Sequence, residues 1–347
     1  MSAANAPAHP QPAAPFALRP PLVAHPLASV PESLKGGVAA IGNFDGLHPG
    51  HRALIDLVVR QARDLQVPAV VVTFEPHPRT VFRPDHPVFR LTPLPAKARL
   101  LAALGVDGLV VATFDRTFAA TTADAFVDEI LMGRLRVVGA VVGFNFRFGY
   151  GREGTAAALA EAGAHRGFAV AIVDEICEID GAAASSSVIR DDLAAGDVAT
   201  ANRRLGYRWF VVGAVIAGHR RGRELGYPTA NIALGADCRL RHGVYAVRLQ
   251  RADGTVHDGV ASYGRRPTFD DGAPLLEVNL FDFSGDLYGE TLAVSFVGWI
   301  RPELKFDSAA ALVAEIGRDA ETARAILAAA GEGSDLDRAI AGHAPAA

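Results

Sequence analysis

Between residues 38 and 173 the chain alternates short apolar runs with longer segments of helical period. The runs 38–41, 69–74, 109–113, 137–142 and 168–173 read as buried strands. In the first segment between them, Leu54, Leu57, Val58 and Leu65 fall on one helical face, and helical patterns follow at 93–104, 122–131 and 153–166. Strands alternating with helices of this length predict right-handed crossovers and a parallel sheet. Ligands of such sheets bind at the carboxyl ends of the strands.

After Ser187 a helical stretch at 188–205, broken near Gly196, leads into a different texture. The segments 209–217, 244–250, 256–262, 275–281 and 292–297 read as strands, and the Gly-, Asp- and Arg-rich pieces between them are too short for crossover helices. That pattern predicts an antiparallel barrel. A last helix at 308–330 follows. The expected fold class is α/β plus β: an N-terminal Rossmann-like parallel-sheet domain (18–184), a helical connector (185–206), and a C-terminal antiparallel β-barrel domain with a terminal helix (207–330). The Ala- and Pro-rich stretch 1–17 reads as a disordered tail, and 331–347 as a flexible one.

Composition narrows the function. At 347 residues the chain is long enough for two domains, each with its own core. Half the residues are hydrophobic, 21% are charged, and the net charge is −4 with no basic block, which argues against nucleic acid as a partner. No apolar stretch approaches the ~20 residues of a membrane span, and the start has no signal-peptide pattern. The two cysteines, Cys177 and Cys238, lie far apart and read as reduced thiols of a cytoplasmic protein. The oligomeric state, homo-oligomer or not, is left open.

The first candidate chemistry follows the first strand: Gly42-Asn43-Phe44-Asp45-Gly46-Leu47-His48-Pro49-Gly50-His51. Glycines let backbone N–H groups approach an anion, and the helix start adds partial positive charge. His48 and His51 sit three apart and can reach one ligand together. Two histidines at this spacing could hold a metal, but no third ligand is visible nearby. A second constellation runs from Gly218 through Arg220, Gly222 and Gly226 to Pro228, Thr229 and Asn231. Its glycines suggest a loop wrapped around a bulky group, its arginines suit phosphate, and Thr229 and Asn231 offer neutral oxygens of the kind Mg²⁺ accepts. It is not a Walker A loop, which needs G-x-x-x-x-G-K-[ST].

These motifs carry a resemblance. The segment around His48 and His51 resembles the H-x-G-H signature of the nucleotidyltransferases. With Thr73-Phe74-Glu75-Pro76-His77-Pro78, Gly143-Phe144-Asn145-Phe146-Arg147-Phe148-Gly149 and Ser185-Ser186-Ser187-Val188-Ile189-Arg190, it resembles the adenylyltransferase module of bacterial bifunctional riboflavin kinase/FAD synthetases. The run Gly226-Tyr227-Pro228-Thr229-Ala230-Asn231 resembles the riboflavin kinase signature, and Gly243-Val244-Tyr245, Gly264-Arg265-Arg266-Pro267-Thr268-Phe269, Leu276-Glu277-Val278 and Asp286-Leu287-Tyr288-Gly289 match in order. The resemblance covers roughly residues 37–324. Ala184, Ser262-Tyr263 and Arg220 depart from the usual pattern without removing a residue assigned to chemistry.

The resemblance implies two ATP-dependent, Mg²⁺-requiring steps on small-molecule substrates: phosphorylation of riboflavin to FMN, then adenylyl transfer from ATP to FMN. In the first domain it implies His48 and His51 as catalytic residues. ATP or phosphate contacts are implied for Gly42, Phe44, Asp45, Gly46, Asn145, Ser186, Ser187 and Arg190. In the second it implies Glu277 as the base that takes the ribityl hydroxyl proton. Kinase phosphate contacts are implied for Gly218, Arg220, Gly222, Gly226, Pro228, Thr229 and Asn231, with Mg²⁺ at Thr229 and Asn231 and flavin contacts at Tyr245 and Arg266. The phosphate of FMN is already anionic near neutral pH, so the adenylyl step needs positioned donors rather than a base. Three other readings compete: an adenylyltransferase for pantetheine or nicotinate nucleotides, which lacks such a barrel; an enzyme with one silent module; and a flavin carrier, which needs neither the histidines nor Glu277.

Overall fold

A computed structural model describes residues 21–25, 27–175, 185–216, 229–265 and 274–342. The N-terminal sheet has six strands: β1 (Leu22–Ala24), β2 (Val38–Ile41), β3 (Ala69–Glu75), β4 (Gly108–Thr113), β5 (Gly139–Gly143) and, after a small β6/β7 hairpin (Arg147–Phe148, Gly154–Thr155), β8 (Ala169–Val173). They lie in the order β1-β4-β3-β2-β5-β8, and every neighbouring pair is parallel. The chain winds outward from β2 in one direction through β3 and β4, and in the other through β5 and β8. The crevice between β2 and β5 is therefore the switch point, where open parallel sheets bind ligands.

The first crossover is α1 (Pro49–Leu65), which turns Leu54, Ile55, Val58 and Ala62 onto the sheet and ends at Gln66 in the left-handed region. The short α2 (Pro78–Phe82) and α3 (Leu94–Ala103) follow β3. After β4 come α4 (Arg116–Ala119), α5 (Ala123–Ala125) and a π-helical stretch, Phe126–Arg134, where the sequence predicts one ordinary helix. The next crossover is α6 (Ala156–Arg166). The connector is a helical pair, α7 (Ser186–Ala195) and α8 (Val198–Leu205), each stopped by a glycine with positive φ, Gly196 or Gly206.

The C-terminal half is a closed antiparallel barrel in the order β10-β13-β12-β11-β14-β9. Its strands are β9 (Phe210–Ile216), β10 (Thr229–Ala233), β11 (Gly243–Gln250), β12 (Val256–Arg265), β13 (Pro274–Leu280) and β14 (Thr291–Arg301). β10 holds Thr229 and Asn231, which the sequence places in a loop; its pairing with β9 and β13 completes the barrel. Helix α9 (Ala309–Ala329) buries Ala320, Ala323 and Leu327 against the barrel.

Two sequence expectations are corrected. The stretch 331–347 is not uniformly a flexible tail. Helix α10 (Asp335–Ala341) begins at a capping box between Ser334 and Asp337, buries Ile340 and packs on α3. Its two turns of mixed Asp, Arg and Ala hid a face with few apolar residues. Nor do the domains keep separate cores. One continuous buried cluster joins Ile55 and Leu101 of the first to Phe210 and Leu276 of the barrel. Trp209 plugs the junction, its indole N–H donating to the Leu91 carbonyl at 2.8 Å.

Candidate functional sites

The chain leaves β2 through a strained turn: Phe44, Gly46 and Leu47 all have positive φ. Gly46 is required sterically as well as conformationally, since a Cβ there would sit 2.8 Å from Leu91 Cδ1. The turn is held from inside. The buried Asp45 carboxylate accepts from the Leu91 N–H (3.1 Å), the Thr92 N–H (2.9 Å) and Arg190 Nη2 (2.5 Å). The Gly46 N–H donates to Thr92 Oγ1, and its carbonyl accepts from the Tyr207 hydroxyl at 2.7 Å. The Gly42 N–H is bound to the Val72 carbonyl.

The N–H groups of Gly42 and Gly46 are thus bound within the fold, and Gly42 lines the cavity described next. Asp45 and Arg190 form a partly buried pair, and a second bond from Arg190 Nε to the Phe89 carbonyl (2.6 Å) fixes the guanidinium. Neither lines the cavity described next. Ser186 donates to the Asp45 carbonyl at 2.7 Å, which ties the start of α7 to the same turn.

The anion-receptive element is instead the start of α1. Pro49 occupies its first turn, and His48 at the N-cap makes no side-chain capping bond. The His48 and His51 rings stack with centroids 3.8 Å apart, and Phe44 meets His51 edge-on. Burial, reinforced by Arg52 and opposed by Asp45, pushes the His48 imidazole down to about 4. Burial also holds His51 well below its ordinary value, helped by the positive neighbours His48, Lys97 and Arg190. Both rings are therefore neutral near pH 7, and Nδ1 of each is buried without a hydrogen-bond partner among the described residues.

These groups open on a cavity of about 790 Å³ at the carboxyl ends of the strands, large enough for a nucleotide-sized ligand. Asn145, Ser186 and Ser187 line it with His48 and His51. Its far wall is aromatic: Phe74, Phe82, Phe114 and Phe118 lie 5.6–6.0 Å apart between ring centroids. Only Phe74 belongs to a motif, and the others gave no signal because single aromatics in a sequence read as core. Lys97 was also missed. It sits in an apolar helical pattern, is buried, and donates to the Asn43 carbonyl (2.7 Å) and Thr73 Oγ1 (3.0 Å) under the turn after β2. Burial lowers its pKa, with Asp45 and Glu75 opposing. His77 caps α2, its Nδ1 accepting from the Arg79 N–H.

In the barrel, β10 and β13 pair so that Asn231 stands opposite Glu277 and Thr229 opposite Asn279. Alternation puts these four on one face, while Ala230, Ile232, Leu276 and Val278 fill the interior. Ser262 faces Glu277 from β12. A second carboxylate, Glu303, lies beyond β14 near Glu277, and burial raises its pKa, with His242 opposing and Glu277 adding to the rise. Tyr245 is fully buried between Phe296 and Trp299, with its hydroxyl donating to the Arg241 carbonyl. Gly218, Arg220, Gly222, Gly226, Pro228 and Arg266 lie outside the described residues.

Two family models divide the chain at the same place as the fold. FAD synthetase matches residues 30–188, and riboflavin kinase matches residues 205–327. The bifunctional riboflavin kinase/FMN adenylyltransferase of Escherichia coli (strain K12) is 41% identical over 300 residues, 86% of this chain and 95% of that one. The chain belongs to this family. The Haemophilus influenzae member is 40% identical over 292 residues, 84% of this chain and 94% of its own. Among solved structures, one titled as a macrolide-efflux protein from Streptococcus pneumoniae superposes with a TM-score of 0.75 at 31% identity, covering 88% of this chain and 99% of that one. The shared whole-chain fold is what that likeness carries; among the described residues no helix is long and apolar enough to cross a membrane. The family's two activities, riboflavin phosphorylation and adenylyl transfer to FMN, fall to the barrel and to the parallel-sheet domain respectively.

Proposed function

We propose that adenylyl transfer takes place in the 790 Å³ cavity, with the isoalloxazine of FMN against the Phe74–Phe114–Phe118 wall and the phosphates at the start of α1. The single observation that carries this reading is the stacked His48–His51 pair at an N-terminus without a side-chain cap. The FMN phosphate attacks the α-phosphorus of ATP, and the bond to the bridging oxygen breaks to release pyrophosphate. His48 and His51 act as neutral N–H donors to the oxygens on which charge builds, rather than as fixed cations. Asn145 contacts the nucleoside of ATP, and Ser187 donates to the departing pyrophosphate. Asp45 and Arg190 keep the turn in shape.

In the barrel, Glu277 accepts the proton of the ribityl 5′-hydroxyl as that oxygen attacks the γ-phosphorus of ATP and ADP departs. Thr229 and Asn231 are the residues that would hold Mg²⁺. The donor set fits: neutral oxygens beside one carboxylate leave room for waters and substrate phosphates, as this ion prefers. The metal would neutralise phosphate charge when bound. The place of action is the cytoplasm, where both cysteines stay reduced.

Incubation of the purified protein with riboflavin, ATP and Mg²⁺, followed by chromatography of the flavins, tests the reading. FMN should appear first and then give way to FAD. No product from riboflavin, and none from added FMN, would make the protein a flavin carrier.

A further inference from the structure

A second cavity, of about 910 Å³, lies where α3 of the first domain meets the barrel, the end of α9 and α10. It shares no lining residue with the adenylyl-transfer cavity, and neither Glu277 nor Asn231 lines it. Five arginines do: Arg99, Arg208, Arg248, Arg324 and Arg338.

Three of them are paired with carboxylates, but Arg99 and Arg208 have none at hydrogen-bond distance among the described residues. Arg99 is 5% exposed, and its guanidinium donates only to the Ile340 carbonyl and Gln250 Oε1; its Nη1 is buried with no partner among the described residues. Arg208 donates to the carbonyls of Ala330, Gly331 and Glu332, and no carboxylate among the described residues is at hydrogen-bond distance from its guanidinium. The nearby acids hold the other three arginines: Asp258 binds Arg248 at 2.9 Å, Asp282 stands 3.9 Å from Arg324, and Asp335 binds Arg338, while Asp337 is occupied by the cap of α10 and the Arg208 backbone N–H. Helix-end carbonyls are favourable partners for arginine, but each carries only partial charge. A buried guanidinium without an anion is costly, and its unused N–H points to a missing acceptor.

We propose that this interdomain cleft binds a phosphate-bearing small anion, held by Arg99 and Arg208 and closed at its rim by Arg324 and Arg338. Arginine forks match phosphate oxygens two at a time. The cleft lies on α3, the helix that also carries Lys97 to the Asn43 carbonyl under the catalytic turn, so a ligand here braces an element of the adenylyl-transfer site. Helix α10 lies beyond both family matches, which end at residues 188 and 327.

Hydrogen exchange of the full-length protein, with and without inorganic phosphate, tests the site. Sodium chloride at equal ionic strength is the control. Amides of residues 327–342 should exchange roughly tenfold more slowly at a phosphate concentration about ten times the dissociation constant. Chloride should not reproduce the effect. The slowing should vanish in an Arg324→Gln/Arg338→Gln variant, whose altered side chains are exposed. Slowing at residues 42–51 reports the catalytic cavity separately. If phosphate slows exchange only there, uniformly along the chain, or equally in the variant, the cleft is not an anion site. Should the variant fail to fold, localised protection of the native protein by phosphate and not by chloride still decides the matter.

Discussion

Asn231 on β10 and Glu277 on β13 face each other directly across an antiparallel pair. Forty-six positions separate them in sequence, yet register puts the neutral oxygen and the carboxylate on the same side of the barrel, about 5 Å apart at their Cβ atoms. Glu277→Gln preserves size and removes the proton acceptor. FMN formation from riboflavin should fall roughly 10²–10⁴-fold, while conversion of supplied FMN to FAD continues. Separate assays from the two starting flavins read both rates, and an equal loss in both would refute the assignment.

The stacked histidines predict the opposite phenotype. His51→Ala should lower FAD formation by about 10²–10³-fold, as expected for loss of one positioned donor. FMN should accumulate from riboflavin at the native rate. Normal FAD output would remove His51 from the mechanism.

The depressed pKa of His48 ties stability to pH. The imidazole is neutral in the folded state down to about pH 4, but the unfolded chain protonates it below its ordinary value of 6.5. The unfolded state therefore binds the extra proton between these limits, and stability falls as pH drops from 6.5 toward 4. The full effect is on the order of 3 kcal/mol for this one group. Urea denaturation at pH 7.5 and pH 5, compared between the native protein and His48→Asn, should show a smaller pH dependence in the variant.

The Asp45–Arg190 pair predicts a stability cost that catalysis alone would not produce. Asp45→Ala strands the Arg190 guanidinium and two backbone N–H groups in a buried place, and should destabilise by roughly 3–5 kcal/mol. Arg190→Gln with Asp45→Asn together should cost less than the sum of the singles. Thermal unfolding of the four proteins gives the coupling directly, and strict additivity would show that the pair does not act as a unit.

Five strands of the parallel sheet were readable because each is a short apolar run between turns; 38–41 is the observed strand to the residue and the other four agree to within two residues, whereas β1, a three-residue edge strand, gave no such signal. Most barrel strands were readable through their length and the shortness of their links. β10 was not: Thr229 and Asn231 are polar, and the strand is recognisable only through its partners. At the sites, the histidines and Glu277 were legible as motif residues. What sequence could not give was where a side chain points. Asp45 and Arg190 pair with each other, Tyr245 faces the core, and Lys97 hides in a helical pattern whose neighbours are Ala and Leu. Each of these depends on a contact far along the chain, which spacing does not encode.

The bond from the Tyr207 hydroxyl to the Gly46 carbonyl and the bond from the Trp209 indole to the Leu91 carbonyl bear on inheritance. Both donors come just after the connector, yet both finish the loop geometry of the other enzyme. A chimera that joins this N-terminal half to a foreign barrel would lose them unless the crossover lay after Trp209. The unit that can be exchanged between relatives is thus longer than the matched N-terminal module, and substitutions at Tyr207 are constrained by a reaction in which the barrel takes no chemical part.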